Sequence, residues 1–237
     1  MVSNSYNTNP ITIKVSNVTK AFIIGKTRIT ILDELDFQCY ENEFTIISGP
    51  SGSGKSTFLA VIGGLTRVDE GHVRVLNHDL NIMDEEALAL FRSVYVGFVF
   101  QTGHLIDSLT VLENVMLPVE LAGKKDLDDK SYDERAWSLL EEFKLNERAH
   151  SLPVMLSGGE YQRTAFIRAL VLDPDLLLID EPTSNQDIQT TEIIHQKLSN
   201  LKGKKNLIVV THERQLFPLA DKILTPVNGK LVPYEVD

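Results

Sequence analysis

The sequence predicts an α/β fold in which a mainly parallel β-sheet is covered by helices. Two observations support this prediction. Apolar runs of strand length, such as residues 176–179 and 207–210, are separated by stretches of helical periodicity, as is typical of parallel sheets buried on both faces. A glycine-rich stretch at residues 49–57 also separates a strand pattern from a helix pattern. A helical part is expected to split this core.

Strand patterns dominate the first hundred residues. The expected strands cover residues 11–15, 29–32, 44–47, 71–76 and 95–100. One helix is expected over residues 57–65. Asp84 is expected to begin a second helix, because the carboxylates that follow it favour the positive end of a helix. The last of these strands ends at Gln101.

Helical periodicity dominates residues 102–172, where Ala136, Leu139, Leu140 and Phe143 are spaced to share one face. Residues 124–130 are predicted to be a charged loop between helices. The α/β pattern then returns, with strands expected at 176–179 and 207–211 and helices at 160–172 and 189–201. Asn228-Gly229 predicts a closing hairpin, which Pro226 places at a sheet edge.

We therefore expect one domain over residues 1–237 with three parts. A first strand-rich part and the first half of the core cover about 11–101, the helical part about 102–172, and the rest of the core about 173–237. No internal repeat is present.

Composition narrows the function classes. The 237 residues carry a formal net charge of -10, which disfavours a nucleic acid partner. The longest apolar runs are far shorter than the roughly 20 residues of a membrane span, so the chain is expected to have no transmembrane segment. The polar N-terminus lacks the apolar core of a secretory signal. The single cysteine, Cys39, cannot form an internal disulfide, and we interpret it as a small core residue.

The glycine-rich stretch matches G-x-x-x-x-G-K-[ST] and lies between a predicted strand and a predicted helix, as a phosphate-binding loop requires. Its backbone N–H groups and the helix N-terminus favour phosphate. Lys55 is expected to reach the β- and γ-phosphates of ATP, and Ser56 to bind Mg²⁺. The predicted binding residues are Gly49, Pro50, Ser51, Gly52, Ser53, Gly54, Lys55, Ser56 and Thr57.

Polar residues follow three further predicted strands. Asp180 and Glu181 come directly after one, where a carboxylate can hold Mg²⁺ and its neighbour can polarise an attacking water. His212 follows another strand and Gln101 a third. Parallel strands end at one edge of the sheet, so these side chains are expected to converge on the phosphates.

Ser157, Gly158 and Gly159 precede a helix pattern but lack a lysine or a metal ligand. They resemble half of a phosphate site that a second molecule completes. The alternative is a simple glycine turn in front of a helix.

Together these motifs, in this order, resemble those of an ATP-binding-cassette (ABC) ATPase subunit, and the resemblance spans about residues 11–232. It implies a P-loop NTPase core with a mainly parallel sheet, an antiparallel β subdomain within about 11–101 and a helical subdomain. It implies a head-to-tail dimer of two copies, with each ATP held by one copy's Lys55 loop and covered by Ser157-Gly158-Gly159 of the other. It implies hydrolysis of ATP and a separate integral membrane permease as partner. The expected location is the cytoplasmic face of the inner membrane.

The resemblance also implies individual roles. Glu181 resembles the family's general base. The groups that resemble those at Mg²⁺ are Asp180, Ser56 and Gln101. His212 resembles the residue that contacts the γ-phosphate. Gln101 further resembles a link to the transporter. Asp187 resembles a residue that signals across the dimer, and Phe22 an aromatic that stacks on adenine.

Residues 97–101, 109–118 and 181–187 are similar to the lipoprotein-releasing, macrolide-exporting and cell-division branch. Three positions depart from the usual pattern. Gln186 replaces a leucine, Phe166 a small residue, and Phe22 a tyrosine, which is expected to loosen base preference.

A groove near residues 102–112 is expected to accept a permease helix. Two alternatives stay open. One is a non-transporting ABC ATPase, and the other is a regulator that acts on cell-wall enzymes through a membrane partner.

Overall fold

The structure is a computed structural model that describes residues 9–123, 129–184 and 186–234, without the side chains of residues 129, 130 and 214. It contains two sheets and six α-helices within these ranges, which confirms the predicted α/β class. The expected charged loop at 124–130 falls almost entirely outside the described residues.

The first sheet is antiparallel and has the order β2-β1-β4-β5. Its strands are β1 (Ile11–Ile24), β2 (Thr27–Tyr40), β4 (Glu70–Val75) and β5 (His78–Asp79). The strands predicted at 11–15 and 29–32 are therefore parts of one long hairpin. Register shifts between Val15 and Ala21 interrupt the inward-outward alternation, so periodicity reveals only fragments of each strand.

The second sheet has the order β10-β9-β3-β8-β7-β6 and is parallel except at β10. Its strands are β3 (Phe44–Ile47), β6 (Val96–Val99), β7 (Leu176–Asp180), β8 (Asn206–Val210), β9 (Lys222–Val227) and β10 (Lys230–Pro233). Strands β3, β7 and β8 are completely or almost completely buried. Because these strands run parallel, the residues that follow β3, β6, β7 and β8 meet at one edge of the sheet.

The helices are α1 (Lys55–Ile62), α2 (Glu85–Tyr95), α3 (Val111–Leu121), α4 (Asp129–Glu142), α5 (Gly158–Leu170) and α6 (Ile188–Leu201). Asp84 caps α2 by accepting from Ala87 N at 2.8 Å, as predicted. Tyr95 belongs to this helix rather than to the following strand. Helix α5 begins two residues earlier than predicted, because Ser157 forms its cap.

Helices α3, α4 and α5 lie in the chain between β6 and β7 and pack on one another. Ala136, Leu139, Leu140 and Phe143 are all buried there, as their spacing predicts. Phe166 of α5 is fully buried in the same core, with its ring centroid 5.6 Å from that of Phe143. The departure at Phe166 is therefore accommodated by packing.

The C-terminal hairpin turns at Asn228 and Gly229, which both have positive φ, and it forms the sheet edge. Pro226 pairs with Leu231 of the edge strand, beyond the point where β9 pairs with β3. The predicted edge position is confirmed. Cys39 is buried in the antiparallel sheet, and burial raises the pKa of its thiol to about 12, which supports its interpretation as a core residue. No helix within the described ranges is long and apolar enough to cross a bilayer.

Candidate nucleotide site

Residues 49–54 form the loop between β3 and α1. Gly54 has φ 94°, which strains any other residue, and it offers no side-chain cap to the first turn of α1. Lys55 Nζ donates to the carbonyl oxygens of Gly49 at 2.7 Å and of Pro50 at 2.8 Å. Ser53 Oγ donates to the Pro50 carbonyl at 2.7 Å. The loop thus curls round a lysine ammonium, and the uncapped helix N-terminus can accept an anion.

The loop is supported from two sides. The C-terminal hairpin packs against its first residue, since a Cβ built on Gly49 would lie 2.8 Å from Pro226 Cδ. A Cβ on Gly54 would lie 2.9 Å from Ile31 Cγ2 of the antiparallel sheet. Both glycines are therefore also required by packing. The other members of the motif lie in this loop or in α1, namely Ser51, Gly52 and Thr57.

Asp180 is the last residue of β7 and accepts a hydrogen bond from the Ser56 side chain of α1. Burial raises the pKa of Asp180, and the neighbouring Glu181 adds to this, while Ser56 and Lys55 oppose it. A cation beside this carboxylate would relieve the cost of burying its charge. The pairing of a carboxylate with a hydroxyl therefore fits Mg²⁺.

Within the described ranges, no three His, Cys, Asp or Glu side chains form a cluster that could hold a metal ion. A pair of ligands such as Ser56 and Asp180 suits Mg²⁺ beside a nucleotide, because most positions around the ion are then filled by phosphate and water oxygens. That is the usual arrangement at nucleotide sites, where Mg²⁺ is bound through one or two carboxylates together with substrate phosphates.

Glu181 follows β7 with φ 48°, in the left-handed region. Its backbone N–H donates to the Val210 carbonyl at 2.8 Å. Its carboxylate lies 3.1 Å from His212 Nδ1 through Oε1 and accepts from Ser184 Oγ at 2.9 Å through Oε2. The side chain of Glu181 is mostly buried and that of His212 mostly exposed. A fixed carboxylate with an imidazole partner can orient water and accept its proton.

Gln101 lies two residues beyond β6 in an exposed turn. The residues on both sides of Gln101 form hydrogen bonds with α5. Gln162 Nε2 donates to the Phe100 carbonyl at 3.5 Å, and Arg168 donates to the Gly103 carbonyl at 2.6 Å. Tyr161 Oη accepts from Leu105 N at 2.8 Å. The segment around Gln101 therefore connects the sheet edge with α5.

Ser157, Gly158 and Gly159 lie at the N-terminus of α5. Ser157 Oγ accepts from Glu160 N at 3.2 Å, and Ser157 N donates to Glu160 Oε2 at 2.8 Å, which completes a capping box. The hydrogen bond from Ser157 N lowers the pKa of Glu160. Both glycines lie in the first turn of the helix rather than in a turn in front of it.

The two glycines differ in their surroundings. For a Cβ built on Gly158, the nearest atom of the described residues outside its own helix would be Gln186 Oε1, at 3.9 Å. A Cβ on Gly159 would lie 2.3 Å from both Asp187 Oδ2 and Thr190 Oγ1 of the same chain. Gly159 is therefore required by packing between the starts of α5 and α6, a constraint that the sequence analysis missed.

Asp187 caps α6, accepting from Thr190 N at 2.8 Å and from Thr190 Oγ1 at 2.9 Å. These two hydrogen bonds lower the pKa of Asp187. Asp187 itself carries a readable signal for this cap, because aspartate is a preferred N-cap residue. Gln186 Nε2 donates to the Ser184 carbonyl at 3.4 Å.

Phe22 lies in β1, and its side chain is partly exposed. Lys20 Nζ lies 5.4 Å from the centroid of the Phe22 ring and 3.0 Å from Asp69 Oδ1. One ring face is therefore associated with a cation, and the exposed part is accessible to a planar ligand.

Comparison with known proteins agrees with this geometry. The family described as ABC transporter matches residues 32–184. The chain is 41% identical to the lipoprotein-releasing system ATP-binding protein LolD of Treponema denticola, over 92% of this chain and 96% of that protein. It is 36% identical to the macrolide export ATP-binding/permease protein MacB of Chlorobaculum tepidum, over 93% of this chain and 33% of that longer protein.

A solved structure has a similar fold. It is the dimeric structure of a post-hydrolysis state of the ATP-binding cassette MJ0796 bound to ADP and Pi. Its TM-score is 0.88 at 37% sequence identity, and the match covers 94% of this chain and 97% of that chain. Together with the relatives and the matched family, this likeness shows that the chain belongs to the ATP-binding subunits of the ABC transporter family.

Proposed function

We propose that the chain is the ATP-hydrolysing subunit that powers a separate membrane permease of the lipoprotein-release or macrolide-export type. The observation that supports this most directly is the assembly of Lys55, Ser56, Asp180, Glu181 and His212 at one edge of the parallel sheet. Purified protein should release phosphate from ATP, and it should co-purify with a membrane protein from its native host. If the purified protein stayed soluble and bound ribosomes instead of a membrane protein, the proposal that it powers transport would be contradicted.

The loop of residues 49–54 would enclose the ATP phosphates, and Lys55 would neutralise part of their charge. Ser56 and Asp180 would hold Mg²⁺, with Gln101 close by, and the bound ion would supply further positive charge. Glu181 would accept a proton from the attacking water, whose oxygen forms a bond to the γ-phosphorus. The bond from that phosphorus to the β,γ-bridging oxygen breaks at the same time, and ADP leaves. His212 would hold the Glu181 carboxylate in place and contact the γ-phosphate.

We further propose that two copies close over two ATP molecules. The N-terminus of α5, with Ser157, Gly158 and Gly159, would cover the ATP that the other copy holds. The uncovered surface of Gly158 supports this. Apart from its two chain neighbours and the backbone of its own helix, no atom of the described residues lies closer than 3.9 Å to the position of its Cβ. The chain would then act at the cytoplasmic face of the inner membrane, bound to the permease.

An apolar groove of about 350 Å³ supports the permease as partner. It lies between α2, α3, α5 and β6, and its walls include Phe98, Phe100, Leu117 and Leu121. This groove adjoins the expected segment 102–112 but does not coincide with it, because residues 103–105 are attached to α5. An amphipathic cytoplasmic helix of a permease would fit such a groove.

The substitution Leu121→Asp tests the groove. Leu121 is exposed, so its replacement should leave the melting temperature nearly unchanged, whereas a charge in the groove should abolish co-purification with the membrane partner. The matched control is Ile82→Asp, an exposed apolar position outside the groove, which should retain the partner. Equal recovery of the partner with both variants would contradict the assignment.

The substitution Phe22→Ala tests the adenine contact. Stacking of a base on an aromatic ring contributes about 1–3 kcal/mol, so ATP affinity should fall by roughly 5- to 150-fold. Phe22→Tyr keeps the ring face and should keep the affinity. Displacement of a fluorescent ATP analogue by ATP and by GTP measures both affinity and base preference. Unchanged ATP affinity in Phe22→Ala would refute stacking at this position.

The two alternative functions differ from the proposal in their partners. A non-transporting ABC ATPase would lack a permease, and a regulator of cell-wall enzymes would copurify with a membrane protein that moves no solute. Identifying the copurifying protein and its extracytoplasmic domain separates the three.

A further inference from the structure

Arg163 is a buried cation that the proposed hydrolysis does not use. It lies on α5, six residues after Ser157, and only 6% of its surface is exposed. Arg163 Nη1 donates to Thr190 Oγ1 of α6. Thr190 is itself completely buried and donates onward to Asp187 Oδ2 at 2.9 Å. An unbroken series of hydrogen bonds therefore runs from α5 to the cap of α6.

The same two helix starts are in direct van der Waals contact. The position of a Cβ on Gly159 is blocked by Asp187 and Thr190 and lies 3.4 Å from Arg163 Nη1. Because position 159 has no side chain, the first turn of α5 can pack directly against the cap of α6. One turn further along α5, the hydrogen bond from Arg163 to Thr190 stabilises this contact. The first turn of α5 is also fixed from its other side, where Arg148 Nε donates to Glu160 Oε1 at 3.0 Å.

Packing alone does not explain an arginine at this position. Arg163 Nε is buried without a hydrogen-bond partner among the described residues, and an orphaned buried donor destabilises a fold. Burial also lowers the pKa of Arg163, although Asp187 and Glu160 oppose this. An apolar side chain of similar length would fill the space without that cost, and replacing buried ionic groups in this way is often neutral or stabilising.

We propose that Arg163 is a positioning residue, which through Thr190 and Asp187 locks the Ser157–Gly159 start of α5 to the loop that follows Glu181. The inference rests on the proposed function. In a closed dimer, the start of α5 would cover the ATP that the other copy holds. The loop after Glu181 would lie beside the ATP that is bound to the same copy. Ser184 contacts Glu181 at 2.9 Å within this loop. The lock would thus join the two ATP sites through one chain.

The experiment uses the full chain and three variants. Arg163→Met removes the donor but keeps the apolar length, Thr190→Val removes the linking hydroxyl, and Thr190→Ser retains it. Arg135→Met is the matched control, because Arg135 is a partly exposed arginine of the adjacent α4 that pairs with Asp173. Phosphate release is measured over a range of ATP concentrations. ATP-driven dimerisation is measured by size-exclusion chromatography with each substitution placed in the Glu181→Gln background.

We expect Arg163→Met and Thr190→Val to lower the rate at saturating ATP about tenfold and to require more ATP for dimerisation. The melting temperature of Arg163→Met should not fall, whereas that of Thr190→Val should fall, because Arg163 Nη1 loses its buried acceptor. Thr190→Ser and Arg135→Met should behave like the parent. A role in stability alone would lower the melting temperature of Arg163→Met as well and would leave the turnover of the folded protein unchanged. If Arg163→Met does not fold, the comparison of Thr190→Val with Thr190→Ser decides the question.

Parent-like turnover and dimerisation of folded Thr190→Val, or losses in Arg163→Met that only follow a lower melting temperature, would overturn the inference alone. Absence of ATP hydrolysis by the parent chain would instead overturn the proposed function and the inference with it.

Discussion

Replacing Glu181 by glutamine is expected to lower ATP turnover by about 10²- to 10⁴-fold, the usual contribution of a general base. Glutamine has nearly the same shape and can still accept a hydrogen bond from Ser184. It cannot accept a proton from water, and its contact with His212 loses the negative charge. Phosphate release at saturating ATP measures the loss.

ATP binding should survive this substitution, because the loop around Lys55 and the Ser56–Asp180 pair are unchanged. The variant should therefore accumulate as an ATP-bound dimer, visible by size-exclusion chromatography. Glu142→Gln makes the same chemical change in an ion pair with Lys197 on α6, at 2.6 Å, and it should leave turnover intact. Unchanged hydrolysis by Glu181→Gln in the complex with its membrane partner would remove Glu181 as the base.

Replacing Phe166 by alanine is expected to destabilise the chain by about 3–5 kcal/mol, the usual cost of truncating a buried phenylalanine. Phe166 is fully buried and stands against Phe143 in the core that α3, α4 and α5 share. The loss comprises the transfer free energy of the ring and the cavity that remains. Urea unfolding followed by circular dichroism measures it.

The control for this prediction is Ile82→Ala, which truncates an apolar side chain that is 82% exposed. Its effect on the free energy of unfolding should stay within about 0.5 kcal/mol. A loss below about 1 kcal/mol in Phe166→Ala would mean that the neighbouring helices close over the space, and that the small residue usual in the family fits this backbone equally well.

The sequence pattern was informative where a binding site needs particular residues in a fixed order along the chain. The loop before α1 requires glycines, a lysine and a hydroxyl in sequence, and Asp180 and Glu181 must follow a strand that is buried on both faces. Asp84 was likewise readable, because a helix cap is satisfied within three residues. In each case, the interacting groups are close neighbours in the chain.

Pattern was less informative where contacts bridge distant segments. The long β1–β2 hairpin was seen only as fragments, because its register shifts interrupt the alternation. The helix α5 was placed two residues late, since the capping box of Ser157 and Glu160 was overlooked. The apolar groove was expected at 102–112, but the hydrogen bonds from Tyr161 and Arg168 hold that segment against α5.

The sequence by itself determined the family, the α/β class and the candidate groups for ATP and Mg²⁺, since these depend on residue order and on the periodicity of buried strands. Only the tertiary structure paired Glu181 with His212 and Ser56 with Asp180, because parallel strands bring residues far apart in the chain to one edge. It also showed that Gly159 is required by packing within its own chain, because a Cβ there would overlap Asp187 and Thr190. Close packing between two helix starts depends on where the helices lie, and no spacing of residues along one chain encodes it.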